Sequence, residues 1–222
     1  MKNDLEFKVI EFDPFAARGE LSRSAPATEG QTEIWTSLVM SPIATLAYNE
    51  SIAVTVKTSL DPHRLQAAID LLVQKHDALR MSFSPMGRSL FIAKNLKLPL
   101  HIIDLRNDLM QDRLASWQKL RENATREAFV IDQAPLLRIS LIKFSAEDSR
   151  LLLSAHHLVC DGWSLAVILQ DLAKAYSEGR LEDAPSFADY AMNEHHSVDP
   201  KAASYWKNIY QDGGSVLELP IA

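Results

Sequence analysis

Cysteine, glycine and concentrated charge are all scarce in this sequence, and each scarcity closes off a class of function. The single cysteine, Cys160, has no second thiol with which to form an internal disulfide. Seven glycines in 222 residues leave little material for a phosphate-cradling loop. No G-x-G-x-x-G or G-x-x-x-x-G-K-S/T follows an expected strand, so nucleotide cofactors and a doubly wound nucleotide fold drop out. The formal charge is −6, with Lys and Arg scattered in ones and twos rather than gathered as phosphate backbones require, so no nucleic-acid partner is expected. Apolar runs are strand-length pieces such as Leu151-Leu152-Leu153, far short of the roughly 20 residues that cross a bilayer, so no membrane partner is expected either. The start, Met-Lys-Asn-Asp-Leu-Glu-Phe-Lys, is too polar for a signal peptide, and a cytoplasmic protein is expected.

What is present is ordinary globular material, 47% hydrophobic and 23% charged, enough for a real core. Residues 1–26 carry Pro14, Gly19 and Pro26 and read as an extended leader or linker on a domain's edge. Thr28, with Gln31 three positions on, predicts a capping box for a helix through Ile34, Trp35 and Leu38 that Pro42 stops. Tyr48 to Thr58 alternates as a half-buried strand, with Ile52, Val54 and Val56 on one face. Asp61-Pro62 opens a helix whose Leu65, Ile69, Leu72, Val73 and His76 recur at threes and fours. Short strands are expected at 79–83, 90–93 and 100–103, with a turn at Pro85-Met86-Gly87. A long helix follows over 108–129, with Leu109, Leu114, Trp117, Leu120 and Ala124 on its inner side. Residues 136–144 and 150–157 read as a hairpin about the polar group 145–149. A helix from Trp163 to Ser177 ends at Gly179, and two more lie near 186–195 and 200–210. Helices interleaved with strands and hairpins predict an α/β fold with a mixed β-sheet flanked by helices.

The chemistry concentrates where the strand 150–157 ends. Period two sets Leu151, Leu153, Ala155 and His157 on one face and Leu152, Ser154 and His156 on the other, so the two histidines point oppositely. The chain then turns through Asp161 and Gly162 into a helix, placing an imidazole at a sheet edge beside a helix N-terminus. A neutral imidazole accepts a proton near pH 7, and general-base work of that kind contributes roughly 10²- to 10⁴-fold. Asp161 either orients the ring or anchors the turn, and Gly162 permits torsions closed to other residues and lets substrate near the backbone. On residue chemistry alone, paired histidines at a strand end serve packing as readily as catalysis. No metal is expected: His156 and His157 diverge, and Glu194-His195-His196 reads as an exposed helix end without ligand spacing. Cys160 is weighed as a nucleophile, but nothing nearby predicts a lowered thiol pKa, so it reads as a small residue in a turn.

His156-His157-Leu158-Val159-Cys160-Asp161-Gly162 resembles the H-H-x-x-x-D-G signature of nonribosomal peptide synthetase condensation domains. Other stretches resemble that family's motifs in the same order. Residues 27–35, with Gln31 and Trp35, resemble the first; Lys75-His76-Asp77-Ala78-Leu79-Arg80-Met81-Ser82-Phe83 the second; and Phe187-Ala188-Asp189-Tyr190-Ala191 the fourth. Tyr205-Trp206-Lys207 and Leu217-Glu218-Leu219-Pro220 resemble the stretch beyond mid-domain, so the likeness runs from about residue 24 onward. Asp13-Pro14-Phe15-Ala16 and Ala47-Tyr48-Asn49-Glu50-Ser51 resemble condensation domains that follow polyketide modules. The sequence departs from the pattern at Lys75, where Arg is usual, and at Ala155, where many members have Met.

The resemblance implies one chloramphenicol-acetyltransferase-like lobe over residues 27–180. A helical segment, 181–222, leads toward a C-terminal lobe that this chain lacks. It implies amide formation between a carrier-bound acyl or peptidyl thioester and a carrier-bound aminoacyl acceptor, in nonribosomal peptide or hybrid polyketide-peptide biosynthesis. His157 would be the catalytic residue; His156, Asp161, Gly162 and Arg80 would be structural, with Arg80 paired to Asp161; Trp163 and Ser164 would line the substrate channel. The domain itself would bind no cofactor, its substrates arriving on the phosphopantetheine of upstream and downstream carrier proteins. The other implied partners are the absent lobe and the adenylation domain of the same module. The fragment alone is expected to be inactive. The alternatives are a noncatalytic carrier-docking lobe, a coenzyme A-dependent acyltransferase of the same superfamily and, as a minor reading, an epimerisation domain.

Overall fold

The computed structural model describes residues 20–41, 43–196 and 199–214. Pro42 as a helix stop, Asp13 to Ala16 and Leu217 to Pro220 lie outside them.

Capping chemistry starts the helices where the sequence marks them. In α1 (Glu29–Met40), Thr28 Oγ1 accepts from the Gln31 amide at 3.3 Å while Gln31 Oε1 accepts from the Thr28 amide at 3.1 Å, the reciprocal box that satisfies two orphan donors. A short turn, α2 (Ala44–Ala47), leads into β2 (Asn49–Val56), whose Ile52, Val54 and Val56 face inward. Asp61 caps α3 (Pro62–Lys75) by accepting from Arg64 N at 2.9 Å, and the expected apolar stripe is buried. A 3₁₀ turn (Asp77–Arg80) follows, then β3 (Met81–Phe83), β4 (Ser89–Ala93) and β5 (Leu100–Asp104). Leu79, expected in a strand, belongs to the 3₁₀ turn.

The long helix is α4 (Met110–Arg126). Trp117, Leu120 and Ala124 pack inward, but Leu109 and Leu114 are exposed, so the apolar stripe is narrower than the periodicity suggests. The hairpin is β6 (Leu137–Ser145) and β7 (Asp148–His156), joined by only two residues. Its strands run into the polar group because Ser149 is a structural acceptor, taking the Leu60 amide at 3.1 Å. Three helices complete the chain: α5 (Gly162–Glu178), ending at Gly179 in the left-handed conformation with φ 70°, then α6 (Phe187–His196) and α7 (Pro200–Ile209).

The strands form two sheets rather than one. The larger, β2-β7-β6-β5, is mixed: β5 runs parallel to β6 and the other pairs are antiparallel. A smaller antiparallel sheet, β1-β4-β3, uses β1 (Leu21–Pro26), so the last residues of the expected leader are an edge strand. On one face of the larger sheet Leu137, Ile139, Leu141, Leu151, Leu153 and Ala155 join the inner sides of α3 and α5 in the main core. On the other, Ile142, Phe144 and Leu152 meet α4. Leu153 and Ile139 are wholly buried, each such side chain stabilising the fold by about 1.5–3 kcal/mol relative to an exposed one. Sealing both faces fixes the register of β7, and the register decides where its histidines emerge.

Candidate active site

β7 delivers His156 as its last residue, and the backbone turns at once, with Val159 N donating to His156 O at 3.0 Å. The β2–β7 ladder extends one step further, because His157 N donates to Tyr48 O at 2.8 Å. Leu158, Val159 and Cys160 are buried, so the turn is anchored by its own apolar side chains. Gln31 anchors it too. The buried Nε2 that remains after Gln31 has completed the α1 cap donates to Leu158 O at 2.9 Å, tying the first motif to the histidine turn.

The two histidines have opposite environments, as their alternation requires. His156 is wholly buried, against Tyr48 and edge-on to Phe129. Its Nδ1 accepts the Leu158 amide at 3.2 Å; since a backbone amide can only donate, the ring proton of the neutral form sits on Nε2. Burial, and secondarily the neighbouring His157, push the His156 pKa down to about 4, so it is neutral at pH 7. His157 is partly exposed and lies beside the Tyr48 ring, centroids 6.3 Å apart at 25°. Its Nδ1 lies 2.5 Å from Oε1 of Glu50, out of line for a directed hydrogen bond but as close as an ion pair.

Glu50 is a carboxylate that no local sequence pattern marks as a site residue. Of the two roles open to Asp161, orienting the ring or anchoring the turn, it takes the second: it caps α5, its Oδ1 accepting from Ser164 N at 2.7 Å and Ser164 Oγ at 2.6 Å. Those bonds hold the Asp161 carboxyl below the usual carboxylate range. Ser164 is thus part of the cap, while Trp163 stands exposed beside it. Gly162, expected to need torsions closed to other residues, has none: the positive-φ glycines among the described residues are Gly87, Gly179 and Gly213. A Cβ at Gly162 would meet nothing within 4 Å, so what the glycine leaves is open space over the backbone.

Arg80 does not pair with Asp161. Its guanidinium is buried and donates to the carbonyls of Val73 at 2.9 Å, Ala93 at 2.5 Å and Lys94 at 3.3 Å, tying the end of α3 to β4. Five fixed donors suit a cluster of orphan carbonyls as well as a carboxylate, and sequence does not distinguish the two. The ion pairing of the second motif falls instead to Lys75 and His76, which meet Asp171 of α5 at 2.9 and 2.6 Å. Burial alone would raise the Asp171 carboxyl, but the hydrogen bonds from Lys75 and His76 hold it below its ordinary value. The fourth motif fastens α6 to β1 through Arg23 and Asp189, 2.5 Å apart, with Ala188 and Ala191 buried. Cys160 is buried, and desolvation, then Glu50 and Asp161, push its thiol up to about 12, which removes it as a nucleophile.

Among the described residues no three His, Cys, Asp or Glu side chains converge as a metal site, His195 is exposed, and no helix is long and apolar enough to cross a membrane. A groove of about 1200 Å³, open to solvent, runs along β5 and contains none of the histidine-turn residues.

Comparison with known proteins bears on the family and the fold. Residues 22–222 match the condensation domain family. The chain is 31% identical over 210 residues to chondramide synthase cmdD of Chondromyces crocatus, covering 88% of this chain and 5% of that protein. It is 30% identical over 228 residues to a dimodular nonribosomal peptide synthase of Bacillus subtilis, covering 93% and 9%. Among solved structures, the starter condensation domain of the rhizomide synthetase superposes with a TM-score of 0.74 at 22% identity, covering 85% of this chain and 48% of that one. The EpoB cyclization-docking bidomain of Sorangium cellulosum gives 0.75 at 23%, covering 85% and 39%. The chain therefore spans about half the length of the solved domain and a small part of each synthetase.

Proposed function

The chain belongs to the condensation domain family, and from that premise we propose that it is the histidine-bearing lobe of a domain that forms amide bonds between carrier-bound substrates. The observation that carries this reading is the position of His157. It is a partly exposed imidazole at the end of a rigid, doubly covered sheet, next to a carboxylate and to open space over Gly162.

In the proposed reaction the amine of a carrier-bound aminoacyl group attacks the carbonyl of a donor thioester. The C–N bond forms, the C–S bond breaks, and the proton lost by the amine ends on the departing pantetheine thiolate. His157 holds that proton in transit or orients the amine for attack. The first amides of α5, which lack intrahelical acceptors, stand at Gly162 to steady the developing oxyanion. The other wall of the site and the carrier contacts would come from a second lobe, and the adenylation domain of the module would charge the acceptor carrier. The likeness of 47–51 to domains that follow polyketide modules extends the donor range to polyketide acyl chains.

The test supplies the second lobe and both loaded carrier proteins and follows the dipeptidyl carrier by mass spectrometry. His157→Ala should reduce its formation by about 10² or more. Equal formation by variant and parent overturns the assignment. Donor-carrier binding without transfer in the parent would assign the chain a docking role.

A further inference from the structure

We propose that Glu50 is the positioning carboxylate of His157, holding the ring in place and fixing which of its nitrogens carries the proton. The inference deepens the proposed function and rests on it for its kinetic part. Its structural part stands on the register between two strands about a hundred residues apart. β2 pairs with β7 so that Asn49 lies opposite His156 and Glu50 opposite Ala155. One more ladder bond, from His157 N to Tyr48 O, draws the His157 ring over β2, with Nδ1 2.5 Å from Glu50 Oε1 and the Tyr48 ring alongside.

The other groups about the ring leave this role to Glu50. His156, the adjacent residue, is sealed with its Nδ1 accepting a backbone amide, so it neither accepts from nor donates to its neighbour's ring. Asp161, the next carboxylate, has Oδ1 committed to the backbone and side chain of Ser164. The Cys160 thiol is un-ionised. The Glu50 side chain is itself only 27% exposed, and a half-buried carboxylate is costly unless it is paired. A carboxylate 2.5 Å from Nδ1 favours the proton on that nitrogen by charge, so Nε2 keeps the lone pair, which is the form that can take a proton from an amine. The stretch Ala47 to Ser51 thereby gains a chemical part: it brings the carboxylate and the flanking ring to the histidine.

The test uses the full chain and has two arms. In the first, nitrogen NMR of the His157 ring is followed between about pH 5 and 9, across the range where imidazoles titrate. Glu50→Gln should shift the neutral ring away from the Nδ1–H tautomer. Glu50→Asp, which keeps the charge, should restore the parent tautomer in part, and the His156 tautomer should not move. An unchanged tautomer in Glu50→Gln overturns the proposal. In the second arm the complemented domain is assayed for amide formation. Glu50→Gln should lower kcat about 10-fold or more with little change in KM, with partial rescue by Glu50→Asp. An altered tautomer with unchanged kcat overturns the positioning role. If the parent forms no amide at all, the functional reading fails while the NMR arm still decides the Glu50 pairing.

Discussion

Acidification should act on His156 before it acts on the carboxyls held below their ordinary range. The ring is wholly buried, and its pKa stands at about 4 against an ordinary 6.5. Between those values the unfolded chain takes up a proton that the folded chain refuses, so more protons are bound in the unfolded state and stability rises with pH across the window. This contribution is complete above pH 6.5 and is lost as pH falls toward 4. A separation of about 2.5 units corresponds to about 3 kcal/mol, a large share of the 5–15 kcal/mol that holds a typical domain folded. The carboxyls that are depressed here, including Asp61, Asp161, Asp171 and Asp189, have ordinary values of 3.8, and their contribution disappears at lower pH. The measurement is urea unfolding at several pH values for the parent and for His156→Asn, whose amide oxygen can still accept the Leu158 amide. The smaller side chain imposes a constant offset, and groups common to both proteins cancel in the difference. The parent should lose about 3 kcal/mol more than the variant between pH 7 and 4. Parallel pH profiles would refute the claim that His156 is held neutral by burial.

Three further outcomes test particular contacts. Replacing Arg80 by Met should cost about 3 kcal/mol or more by orphaning buried carbonyls, and combining it with Asp161→Asn should be additive within about 0.5 kcal/mol in thermal unfolding. A coupling of about 1 kcal/mol or more would restore the Arg80–Asp161 ion pair that the structure lacks. Iodoacetamide labelling of Cys160, read by mass spectrometry, should be about 100-fold slower in the folded than in the unfolded chain, and equal rates would contradict its burial and raised pKa. Gly162→Ala should leave the melting temperature level or higher, since its new methyl meets nothing, whereas Gly87→Ala should cost about 2–4 kcal/mol. At Gly87 the added carbon would lie 2.2 Å from the Trp35 ring at a φ of +65°. Similar melts for the two variants would contradict this packing.

Local chemistry is legible in the sequence because its causes are local. The Thr28–Gln31 box, the Asp61 cap, the alternation of β2 and β7 and the stripes of α3 and α5 each depend on residues within a few positions of one another. Pairing is less legible. Nothing in the short apolar runs at 81–83 and 89–93 says that they join residues 21–26 in a sheet of their own, because a strand's pattern reports burial and not its partner. Charges mislead in the same way. Arg80 and Asp161 carry opposite signs in neighbouring motifs, yet one serves carbonyls and the other a helix amide. Glu50 stands out in the sequence only as one residue of a subtype marker, since its meeting with His157 depends on a register between distant strands.

That register also explains why two adjacent histidines can coexist without defeating each other. Two imidazoliums on neighbouring residues would repel, and each would lower the other's pKa. Burial removes His156 from the contest, and the Leu158 amide fixes its tautomer, so it acts as a neutral wedge under the turn. His157 alone of the pair has partial exposure and a carboxylate at its Nδ1. A strand with both rings on the same face could not make this division. Period two places one ring in the core and the other at the carboxylate, so the doublet joins a buried ring and a partly exposed one by one peptide bond.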